Sequence, residues 1–172
     1  FDPASITWSC DAVGSGAGSF VDAEFDETSG VTTLDGASAV ATGADPDGGA
    51  GPLGEYVYVA SVLDSSLTVF ERDPLSQLLP EVASVDSSTV AGLGGARDVV
   101  VTADGRYVYV AGQSSDSIVA FEVVDGGGGT LQLNLIATEN ATTGTPSLTQ
   151  PVALALSPGE DNVYVAAANS SA

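Results

Sequence analysis

One strand text, written three times, constrains this chain more than anything else in it. Tyr56-Val57-Tyr58-Val59-Ala60 returns as Tyr107-Val108-Tyr109-Val110-Ala111 and again as Asn162-Val163-Tyr164-Val165-Ala166, about every 50 residues. β-branched and aromatic residues fit a pleated, half-buried surface, so each copy predicts a strand. A second mark recurs with it: a Phe followed by an acid, at Phe25-Asp26, Phe70-Glu71 and Phe121-Glu122. The text between the marks is small and polar, as a strand connection should be.

Each repeat divides into four strands. The first covers residues 39–42, 98–102 and 153–157 in successive units. It ends in a turn at Asp45-Pro46-Asp47-Gly48, Ala103-Asp104-Gly105 or Pro158-Gly159-Glu160. The repeated Tyr-Val text is the second strand, and the Phe-acid mark closes the third. The fourth is expected at 79–85 and 131–138. A unit of this length with four short strands has the arithmetic of a β-propeller blade. The predicted class is therefore all-β, with blades built as four-stranded antiparallel sheets and the first strand innermost. Strands two and three read as near-continuous apolar runs, which suits sheets covered on both faces.

Residues 1–19 are irregular, with linker text at 14–18. Residues 20–35 read as the last two strands of a preceding blade, 36–86 and 87–140 as whole blades, and 141–172 as the opening of another. The two partial blades are complementary. Three outcomes follow: a piece of a larger propeller, a homodimer whose chains complete one ring, or an open arc with exposed edges. With no Met and no signal-peptide pattern, the chain reads as beginning at a processed or internal end.

The charge balance is the second constraint. The 172 residues carry 23 acids against three Arg (Arg72, Arg97, Arg106), with no Lys and no His, for a net charge of -20. Such a surface repels nucleic acid and anionic membranes. It suits a saline setting, a basic partner or a divalent cation. No apolar run is long enough to span a membrane. The lack of His excludes a Ser-His-Asp arrangement, and with one Cys it also excludes a Cys/His zinc site. Cys10 has no partner for an internal disulfide; it is expected to be a buried apolar side chain, with a free thiol or an intermolecular bridge as the alternatives.

Few residues stand out as sites. Asp45 and Asp47 lie in a Gly-rich loop, which calcium favours, although the same loop also reads as a plain turn. Asp22, Glu24 and Asp26 alternate along a strand and would face one way, as a cation site or as a solvated face. Arg97 and Asp98 open an inner strand, where a propeller lines its channel. They would orient an anionic ligand there, or tie one blade to the next. Residues 126–129 are four glycines without the Lys and helix of a phosphate loop, hence a hairpin connection.

The run from Gly95 to Gly112, with Arg97-Asp98, Asp104-Gly105-Arg106 and Tyr107-Val108-Tyr109-Val110-Ala111, then Ser115-Asp116-Ser117-Ile118 and Phe121, resembles the repeat of lactonase-like, YVTN-type β-propellers. The likeness extends over about 36–168. It implies a propeller of seven blades. In the enzymes of that family it implies a sugar-lactone hydrolase with charged and His residues around the central channel. The same blade also serves non-enzymes. With neither His nor Lys, the chain is expected to be a non-catalytic secreted or cell-surface scaffold for a protein or carbohydrate partner, placed outside the cell or in the periplasm. The alternatives are a lactone hydrolase and a calcium-stabilised adhesion module. No cofactor is expected apart from that calcium.

Overall fold

In a computed structural model of the chain, the repeated text forms strands wherever it is described. The structure describes residues 31–47, 55–72, 79–127, 130–140 and 148–169. Cys10 and the Asp22, Glu24, Asp26 group lie outside these residues, as does most of the preceding partial blade; its described part, 31–35, is not strand.

The first sheet runs β1 (Ala37–Ala44), β2 (Glu55–Ser61), β3 (Ser66–Glu71) and β4 (Glu81–Asp86), in that order and with every neighbour antiparallel. A single 3-10 turn at Ala91–Leu93 leads into the second sheet. This sheet repeats the order with β5 (Ala96–Val101), β6 (Tyr107–Gly112), β7 (Ser117–Asp125) and β8 (Leu131–Asn140). The third begins with β9 (Pro151–Leu156) paired to β10 (Val163–Ala167).

Registers repeat as well. Val59 faces Thr68 in the first sheet, and Val110 faces Val119 at the same place in the second. The third strands are covered on both faces, with Ser66 to Phe70 buried without a break. This accounts for their unalternating apolar text.

The sheets stack face to face. Tyr58, Leu67 and Val69 of the first meet Val99, Val108, Val110 and Phe121 of the second in one continuous core. A smaller core of Ala111, Ile118, Leu148 and Leu154 joins the second to the third. The stacking is tightest at the first strands, where β1 lies against β5 and β5 against β9. Four-stranded sheets that converge at their first strands are propeller blades.

Each first strand begins two residues earlier than its apolar text suggests. A β-bulge accounts for this. The register slips between Ala37 and Ala39, between Ala96 and Asp98, and opposite Ala166 and Ala167 in the third sheet. An extra residue breaks the alternation that marks a strand in sequence.

Candidate active site on the inner strands

The bulges decide what the inner wall presents. The residue each one inserts is Ser38 in β1, Arg97 in β5 and Val152 in β9. A bulge bends its strand and turns side chains away from the sheet. Arg97 is exposed as a result. It lies at the end of the inner strands where the β2–β3 and β6–β7 turns cluster, since the main chain of Gly95 accepts from Gln113 N–H at 3.0 Å.

Asp98, the next residue, is half-buried and accepts through both of its oxygens. Its Oδ1 accepts from Val99 N–H at 3.0 Å. Its Oδ2 accepts from Leu154 N–H at 2.6 Å, reaching across to β9. On the other side, Ser38 Oγ lies 2.8 Å from the Arg97 carbonyl, to which it donates. The sequence-predicted pair therefore stays together but divides its work. Arg97 stays exposed, while the carboxylate joins two blades. Ser38 and the Leu154 amide escaped sequence reasoning. The one available signal is that Ser38 falls at the register position of Arg97 when the repeats are aligned.

The opposite end of the inner strands has different chemistry. Here Ala44, Asp45, Pro46, Asp47, Asp104 and Arg106 line an open cavity of about 480 Å³ between two blade turns. Asp45 Oδ1 accepts from Asp47 N–H at 3.0 Å, a turn closed by its own side chain. Asp104 Oδ1 accepts the Thr102 hydroxyl at 2.7 Å and Arg106 N–H at 3.0 Å. These bonds, the Thr102 hydroxyl first, hold the Asp104 carboxyl below the usual carboxylate range. Burial, then the charges of Asp45, Glu71, Asp125 and Asp47, push the Tyr56 hydroxyl up to about 12. This end is thus strongly anionic. No group of three metal-ligating side chains occurs among the described residues.

Antiparallel four-stranded sheets that converge at their first strands, with an exposed arginine at one end of them, define the blades of a propeller. Residues 24–172 match the lactonase, seven-bladed β-propeller family, and the chain belongs to it. Over 99 residues it is 37% identical to the 6-phosphogluconolactonase of Bacillus subtilis, a match covering 55% of this chain and 28% of that protein. It superposes on the periplasmic gluconolactonase of Pseudomonas aeruginosa with a TM-score of 0.52 and 27% identity, over 67% of this chain and 30% of that one. A Lactobacillus plantarum structure gives a TM-score of 0.56 at 22% identity, over 75% and 34% of the two chains, and shows the fold alone. The chain thus spans about a third or less of the length of these relatives.

These names overturn the expectation of a non-catalytic scaffold. That expectation rested on the absence of His and Lys, and the inference fails for two physical reasons. A lactone is an activated ester whose opening needs a polarised carbonyl and a placed water, which Arg and carboxylates can supply. Moreover, residue types counted over a third of a ring do not bound the chemistry of the whole ring.

Proposed function

We propose that this chain is an arc of a propeller that hydrolyses a sugar lactone, and that Arg97 is its contribution to substrate binding. The observation that carries this reading is the bulge in β5, which holds an exposed guanidinium at the mouth of the inner strands in a chain of the lactonase family. Water adds to the ring ester carbonyl, the ring C–O bond breaks, and the product is a hydroxy acid. Negative charge gathers first on the carbonyl oxygen and then on the carboxylate. A guanidinium donates to both, with a fork that fits the carboxylate. Any proton acceptor on this arc at neutral pH is a carboxylate, because the chain has no His. Asp98 is not assigned that role, since each of its oxygens already accepts a main-chain amide. An extracytoplasmic location is part of the proposal. The periplasmic relative and the net charge of -20 support it.

The test is lactone opening followed at constant pH, with δ-gluconolactone and its 6-phosphate as substrates. The wild-type protein is expected to exceed the spontaneous rate. Arg97→Ala is expected to lose about a hundredfold in kcat/KM, the scale of one removed oxyanion donor. No acceleration by the wild type on either lactone would sink the reading.

A further inference from the structure

We infer that Ser38 and Asp98 are positioning residues, a clamp across three consecutive blades that fixes the direction in which Arg97 meets its ligand. The inference rests on the lactonase reading for what the ligand is, but its geometry is independent of that reading.

The inner edge of a first strand has no further strand to pair with, and each bulge disturbs the pairing it does have. Main-chain amides left there need an acceptor. Asp98 supplies two at once. Its Oδ1 takes the Val99 amide of its own strand, and its Oδ2 takes the Leu154 amide, which holds the matching register position in β9. At the register position of Asp98 itself, β1 has Ala39 and β9 has Ala153, and neither can make such a bond. Among the described residues, the carboxylate bridge is therefore particular to the strand that carries the arginine. From the other side, the Ser38 hydroxyl reaches the Arg97 carbonyl at 2.8 Å and the Ala96 carbonyl at 3.2 Å. The bulged residue is thus held by the preceding blade through its carbonyl and by the following blade through its neighbour. An arginine on a loose bulge would sample many directions. Held on both sides, the backbone leaves only the side chain's own torsions free, and a pre-aimed donor loses less on binding.

A double-mutant cycle on the full chain tests the clamp, with δ-gluconolactone as substrate. Asp98→Asn keeps an oxygen for one amide but sets an NH₂ against the other. It is expected to lower kcat/KM about tenfold, and to add nothing on the Arg97→Ala background. Ser38→Ala should behave in the same way, and Ser38→Thr should restore activity. Losses that add to that of Arg97→Ala would mean a merely structural role and would overturn the clamp. A second readout needs no activity: the main-chain N–H signal of Arg97 in nitrogen-15 spectra. The clamp predicts a sharp signal in the wild type, broadened in Asp98→Asn and in Ser38→Ala. An unchanged signal overturns it. If the wild type opens no lactone while the two variants still show this broadening, the lactonase reading is retired and the clamp stands.

Discussion

Gly105 marks a close approach of one blade to the next. It sits at a φ of 72° in the β5–β6 turn, and a Cβ there would lie 1.9 Å from the Ala44 carbonyl oxygen at the end of β1. Both the conformation and the space require glycine. Gly127, at a φ of 79°, has the same conformation but nothing within 4 Å. The two sites separate strain from collision. Gly127→Ala should cost about 1 kcal/mol, for the left-handed backbone alone. Gly105→Ala should cost roughly 3 kcal/mol or more, because backbone must move away from backbone. Urea denaturation of both variants checks this, and equal losses would show that the blades do not pack at this turn. Tyr58 makes a related point about crowding. Its side chain is fully buried between the same two blades, and its hydroxyl has no partner there. Burial, more than the nearby Tyr56 and Asp45, raises its pKa far above the ordinary tyrosine value.

Between elements, the blades are joined by a device that repeats with the sheets. Ser65, in the β2–β3 turn, has a φ of 54°, and its Oγ accepts from Gly95 N–H at 3.0 Å just before β5. Asp116, in the β6–β7 turn, has a φ of 51°, and its Oδ1 accepts from Gln150 N–H at 2.8 Å just before β9. The same latch is thus made once by a hydroxyl and once by a carboxylate. Asp116→Ala should therefore lose about 1–2 kcal/mol, while Asp116→Ser should recover most of it. Thermal unfolding of the pair measures this, and a Ser no better than Ala would argue against a shared latch. Such bonds mark the limit of what could be read beforehand. The second and third strands were legible, because Tyr-Val alternation and buried apolar runs are local signals. The first strands were legible only in their apolar halves, since Ala37-Ser38 and Ala96-Arg97 look like connection text and the bulge hides the period. The latches and the Asp98 bridge were not legible, because each joins a side chain to a main-chain amide 30, 34 or 56 residues away. Arg97 was legible as a candidate because charge is scarce on an inner strand. The role of its neighbour depended on a partner no local pattern names.

At the scale of the molecule, one tyrosine position records how the arc is built. Tyr58, Tyr109 and Tyr164 hold the same register place in successive second strands. They are fully buried, half-buried and 61% exposed in turn, as a following blade covers them or does not. Val40 is 66% exposed on the opposite side of the arc, while Val99, its counterpart, is buried. Both outer faces are thus blade interfaces in composition. Around this frame the field is one-sided, at a net charge of -20 with three Arg. On the proposed function, that field acts on a charged lactone before Arg97 does. A phosphorylated lactone approaches against repulsion, whereas a neutral one does not. Screening removes the repulsion, since the Debye length falls from about 30 Å at 0.01 M salt to about 3 Å at 1 M. The proposed contact with Arg97 is short-range and would be screened less than the long-range field. KM for 6-phosphogluconolactone should therefore fall severalfold as NaCl rises over that range, while KM for gluconolactone stays level. If the two KM values move in parallel, the acidic surface is not felt at the site. If KM for the phosphorylated lactone rises instead, attraction to the guanidinium outweighs the field of the whole chain, and the phosphate itself is the group Arg97 binds.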